Sequence, residues 1–80
     1  MIPTGFQIRA GRELAGLSQA DLATAAGVGL AVVVRAEMAA HMPALTRKDS
    51  AAIQEALEAA GVEFVREDGG IGVRLRESEL

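Results

Sequence analysis

Few side chains in this 80-residue chain could do acid–base, nucleophilic or metal chemistry. It has no cysteine, and its one histidine, His41, has no carboxylate at ligand spacing, so we expect no metal site. Ser18 precedes a helical pattern and fits a helix cap better than a nucleophile. The main carboxylates are spread over several predicted helices, as solvated charges are: Asp21, Glu37, Asp49, Glu55 and Glu58. We therefore expect no enzyme, no catalytic residue and no cofactor.

The segment that carries most information about function is the apolar run GLAVVVRAEM, residues 29–38. Leu30, Val34 and Met38 are spaced at i, i+4 and i+8, which places them on one stripe of a helix. The inward positions of this segment and of the residue before it are already apolar: Val28, Val33 and Ala36. The stripe is therefore surplus to the core, and an exposed patch of roughly 300–400 Å² is typical of a binding site.

Caps and periodicity predict a mainly α fold, a helix-turn-helix bundle of four helices followed by a C-terminal β-hairpin. Thr4 with Gln7, and Thr46 with Asp49, have the spacing of capping boxes. The first three helices are predicted at residues 5–15, 19–26 and 30–38, and the fourth begins after Thr46 and ends at Gly61. In the first helix, three apolar residues repeat every four positions and form one apolar stripe: Phe6, Ala10 and Leu14.

After Gly61 the apolar residues alternate, which predicts two strands at residues 62–66 and 71–76. Asp68-Gly69-Gly70 supplies the turn, so the glycines fit a hairpin better than a phosphate-binding loop. We expect a single domain over residues 1–80, with a helical part at 4–61 and the hairpin at 62–76. No secretory signal or bilayer-length apolar stretch is present, so we expect a cytoplasmic protein with no membrane partner.

Residues 8–28 carry the motif I-R-x-x-R-E-x-x-G-L-S-Q-x-x-L-A-x-x-A-G-V. This motif resembles that of the Xre/Cro-repressor family of helix-turn-helix proteins. The resemblance implies a structural ion pair between Arg12 of the first helix and Glu37 of the third. It also implies which positions would face DNA: Gln19, Ala20, Gly29, Leu30, Ala31, Val34, Arg35 and Met38.

Of those DNA-facing positions, only Gln19 and Arg35 offer a side-chain hydrogen bond to a base or a phosphate. The net charge is −3, and no positive charge lies between Arg12 and Arg35 or between Arg35 and Arg47. Because DNA affinity depends on neutralised phosphates, we expect no specific DNA binding.

The chain also resembles the QseM-type antiactivators of integrative and conjugative elements, small Xre-like proteins that bind activators instead of DNA. That resemblance implies that this chain inhibits LuxR-type quorum-sensing activators and DUF2285-type excision activators. The partner-binding residues we expect lie on the third helix and just after it: Leu30, Ala31, Val32, Val34, Arg35, Met38 and Met42.

Three alternatives stay open at this stage. A DNA-binding Xre-family repressor could act as a dimer through phosphate contacts from Gln19, Arg35, Arg47 and Lys48. An antitoxin would share the fold, although the chain lacks the expected basic groove. The apolar stripe could also be covered by the hairpin, or pair with a second copy as a homodimer.

Overall fold

The computed structural model describes residues 3–39, 45–67 and 70–76. In chain order the elements are α1 (Gly5–Leu14), α2 (Gln19–Ala26), α3 (Leu30–Met38), α4 (Arg47–Ala59), β1 (Val62–Glu67) and β2 (Gly70–Leu75). The predicted mainly α fold with a C-terminal hairpin is confirmed, and the bounds of α2 and α3 match the prediction. The predictions for His41, Met42, Asp68 and Gly69 lie outside the described residues.

Side-chain caps fix where the first two helices begin. The Thr4 hydroxyl accepts a hydrogen bond from the Gln7 backbone N–H at 3.1 Å, and the Gln7 side chain accepts from the Thr4 N–H at 2.9 Å. Ser18 and Asp21 form the same reciprocal pair at the start of α2. At α4 only half of the predicted box forms, with Thr46 accepting from the Asp49 N–H.

The core is a cluster of fully buried apolar side chains contributed by all four helices and β1. Its largest members are Ile8, Leu22, Val33, Ile53, Leu57 and Val62. The apolar stripe predicted on α1 lies largely outside this core, because Phe6 is 59% exposed and Leu14 is 45% exposed. The face of α1 that meets the core carries Ile8 and Gly11 instead, and a Cβ at Gly11 would lie 3.0 Å from Val62.

α1 also passes close to the end of α3. A Cβ at Gly5 would clash with the carbonyl oxygens of Ala36 and Ala39, so only glycine allows this approach. The backbones of α1 and α3 therefore approach closely at this end, and this contact helps to fix the position of α3.

The hairpin packs against α1 and α4. Its strands are antiparallel, with Val62 opposite Leu75 and Phe64 opposite Val73. At its base the Arg76 guanidinium donates to the Glu58 carbonyl at 2.8 Å, near the C-terminal end of α4 where a cation is favourable. Within the described part of the chain, no helix is long and apolar enough to cross a membrane.

Candidate protein-binding surface on the third helix

The sequence between α2 and α3 sets the direction in which α3 leaves the turn. Gly27 ends α2 in the left-handed conformation with φ of 70°, and the Val28 N–H donates to the Ala23 carbonyl at 3.0 Å. α3 then packs on α1 and α2. Val33 and Ala36 are fully buried, so one face of α3 is anchored in the core.

The opposite face of α3 is apolar and open to solvent. Leu30 is 49% exposed and Met38 is 81% exposed, while Val34 between them is half-buried. These residues line a shallow depression, which we call the α3 groove, made of Leu30, Ala31, Val34, Arg35 and Met38. The structure thus brings together five of the seven residues predicted to bind a partner.

The other two predicted partner-binding residues do not belong to the α3 groove as described. Val32 is half-buried, packs against the core and does not line the groove. The reason is helical geometry, because a residue two positions along from Leu30 lies about 200° around the helix axis. Met42 lies outside the described residues.

A polar cluster borders the α3 groove on the side of α1. Nε of Arg12 lies 2.7 Å from Oε2 of Glu37, and Nη2 lies 3.0 Å from Oε1, so the pair is bidentate. Nη1 of Arg12 also donates to the Leu17 carbonyl at 2.8 Å. The two side chains are only 14% and 5% exposed. Hydrogen bonding to Glu37 raises the pKa of Arg12, against the opposing effect of burial.

Gln19 belongs to the same cluster. Its side-chain amide donates to Oε1 of Glu37 at 3.2 Å, so one of its two N–H donors is engaged inside the protein. Arg35, in contrast, is exposed and has no hydrogen-bond or ion-pair partner among the described residues. Of the side chains in the α3 groove, Arg35 is therefore the one that could reach a base edge or a phosphate.

The remaining candidates for DNA contact lie in the first turn of α4. Arg47 and Lys48 are both exposed there, and neither lines the α3 groove. Among the described residues, no three side chains of the types that bind metals come together. The chemistry available at the groove is therefore burial of apolar surface, with one cation at its edge.

One exposed surface was missed by the sequence reasoning. Phe6, Ala10 and Leu14 line a second groove together with Gly72 and Val73 of β2. The spacing of the three α1 residues was visible in the sequence. Periodicity alone does not tell which of two apolar faces of a helix a neighbouring element covers, so this groove was not predicted.

The chain was compared with protein-family models and with curated proteins. No protein-family model matches the chain, and no curated protein matches it.

Proposed function

We propose that this chain inhibits transcriptional activator proteins by binding them through the α3 groove, and that it does not act by binding DNA. One observation carries the proposal: α3 follows the tight turn of a helix-turn-helix unit, yet its outward face is apolar. In a DNA-binding unit of this kind the second helix enters the major groove and presents polar side chains to base edges.

The energetics of the α3 groove favour a protein partner. Leu30 and Met38 leave apolar surface in water, and burying such surface contributes about 25 cal/mol per Å². A methionine at the open end of the groove is flexible and polarizable, so it can adapt to more than one partner surface. Phosphates and base edges are polar, so contact with them would not give the α3 groove a comparable free energy from apolar burial.

The partners we propose follow from the resemblance to QseM-type antiactivators. They are activators of the LuxR type and activators with a DUF2285 domain, met in the cytoplasm. The ion pair between Arg12 and Glu37 is the one that the Xre-type resemblance implies, and it supports the arrangement of α1 and α3 whatever α3 binds.

One observation favours the second candidate function, a DNA-binding repressor. Arg47 and Lys48 lie in the first turn of α4, where positive charges oppose the helix dipole. Phosphate groups would relieve that repulsion, and Arg35 would add a third cation. The acidic net charge of −3 and the apolar α3 face count against this candidate.

The experiment that tests the proposal uses a reporter gene driven by a candidate activator in a heterologous bacterium. Co-expression of the chain is expected to lower reporter output, and the tagged chain is expected to co-purify with the activator. Reporter output that stays unchanged with LuxR-type and DUF2285-type activators from the same genome would contradict the proposed partners.

A further inference from the structure

Among the described residues, most of the large exposed apolar side chains lie on elements that the proposed function does not use. Six large apolar side chains are exposed among the described residues, and only Leu30 and Met38 belong to α3. The other four lie on α1 and β2: Phe6, Leu14, Ile71 and Leu75. Two of these four, Phe6 and Leu14, belong to the α1–β2 groove, which is lined by Phe6, Ala10, Glu13, Leu14, Gly72 and Val73.

Two opposite charges border this apolar surface along one edge. Arg9 and Glu13 are one helical turn apart, with Nε of Arg9 3.7 Å from Oε2 of Glu13. Their side chains are 62% and 57% exposed. At 100° per residue, both lie on the same side of the stripe formed by Phe6, Ala10 and Leu14.

We propose that two copies of this chain form a symmetric dimer through the α1–β2 groove, with the two α1 helices antiparallel and crossing at Ala10. A two-fold axis at Ala10 places Phe6 of each copy against Leu14 of the other, because the two residues lie four positions on either side of it. Ala10 at the crossing point has a small side chain, which allows the helices to approach closely.

The charges make this surface complementary to itself. In an antiparallel pair related by a two-fold axis, the same edge of each helix faces its own copy with the order reversed. Arg9 of one copy therefore lies near Glu13 of the second copy, and Glu13 near its Arg9. The four groups form an alternating network, which is the reason for choosing a second copy as the occupant over an unrelated protein.

The size of the surface predicts a weak dimer. Its apolar residues come from one ten-residue helix and one six-residue strand. We therefore expect the dimer to bury less than the roughly 800 Å² per partner of a standard interface. We expect a dissociation constant of about 1–100 µM. The α1–β2 groove shares no lining residue with the α3 groove, so a failure of the dimer proposal can be distinguished from a failure of the proposed partner binding.

The experiment is sedimentation equilibrium of the full chain over a concentration series that spans this range, with circular dichroism on every variant. Phe6→Asp is expected to leave a folded monomer, because Phe6 is exposed in the protomer. The matched control is Leu30→Asp, which puts the same charge on the α3 groove and is expected to leave the dimer unchanged.

Charge exchange distinguishes a local contact from a general effect of net charge. Arg9→Glu changes the net charge from −3 to −5, and Glu13→Arg changes it from −3 to −1. General repulsion would weaken the dimer in the first variant and strengthen it in the second. The proposed pairing predicts that both single variants weaken the dimer by about tenfold and that the double variant restores it.

Three results would overturn the proposal. The first is a monomer at every concentration. The second is a dimer that Leu30→Asp disrupts and Phe6→Asp does not. The third is a Glu13→Arg variant that dimerises more tightly than the unaltered chain.

Discussion

The side-chain amide of Gln7 donates a hydrogen bond of 3.0 Å to the carbonyl oxygen of Gly72, 65 residues further along the chain. The oxygen of the same amide accepts from the Thr4 N–H at 2.9 Å, so one fully buried side chain caps α1 and ties it to the hairpin. A buried amide with both ends satisfied is specific to one arrangement of these elements, because any displacement leaves a polar group without a partner.

Replacing Gln7 with Glu is therefore expected to destabilise the fold by about 1–3 kcal/mol. The carboxylate can still accept from the Thr4 N–H, but it repels the Gly72 carbonyl. Urea unfolding followed by circular dichroism measures the change. The control is Gln54→Ala, which removes an exposed hydrogen bond from Gln54 to Glu58 and should lower the free energy of unfolding far less. Equal losses from the two variants would contradict the role assigned to Gln7.

Replacing Arg12 with Ala is expected to lower the free energy of unfolding by about 3 kcal/mol, because it leaves the carboxylate of Glu37 buried without its cation. Thermal unfolding at low protein concentration measures this loss. The matched control is Arg9→Ala on the same helix, which removes an exposed pair expected to contribute less than about 1 kcal/mol. A cost for Arg12→Ala no larger than that for Arg9→Ala would show that the buried pair does not hold α1 to α3.

The stability of the first turn of α2 is expected to depend on pH in the acidic range, because Asp21 belongs to the capping box of this helix. Hydrogen bonds from the Ser18 backbone and side chain hold the pKa of Asp21 below its ordinary value of 3.8. Because the folded pKa is the lower one, the stabilisation is present above pH 3.8 and is lost as the pH falls through the lowered pKa. A titration of the Asp21 carboxyl carbon by NMR is expected to give this low value. Ser18→Ala keeps the backbone N–H, which is the larger cause, and should raise the pKa only in part; a pKa of 3.8 or higher in the unaltered chain would contradict the capping interaction.

Much of the fold could be predicted from the sequence because its helix signals are local. Ser18 with Asp21 fixed the start of α2, and Gly27 fixed its end, since each acts through bonds within a few residues. The exposure of the α3 groove was also predictable, since Val33 and Ala36 already fill the inward face of that helix.

The features that could not be predicted from the sequence depend on which elements pack against each other. The regular spacing of Phe6 and Leu14 indicated an apolar stripe, but α4 and the hairpin cover the face of α1 that carries Gly11. Gln7 looked like half of a capping box, and nothing local showed that its amide would reach Gly72. Gln19 was assigned to DNA contact by resemblance, while its side-chain amide donates to Glu37 across the bundle.

DNA binding is expected to be weak and independent of sequence at about 0.15 M salt, because the cations of α3 and α4 are too few to neutralise many phosphates. An electrophoretic shift assay with the region upstream of the chain's own gene, compared with a scrambled duplex, measures both affinity and specificity. Val34→Arg should add at most a salt-sensitive contact. A sub-micromolar shift that the scrambled duplex does not reproduce would favour the repressor over the antiactivator.

The central claim is that the α3 groove binds the activator. Its most direct test is co-purification of the activator with Leu30→Asp and Val34→Asp variants, each checked for folding by circular dichroism. The matched control is Ala51→Asp, an equally charged change at an exposed position of α4. We predict that both α3 variants stay folded and lose the activator, because a carboxylate in the groove opposes burial of the partner, while the control retains it. Folded α3 variants that retain the activator as well as the control does would contradict the claim.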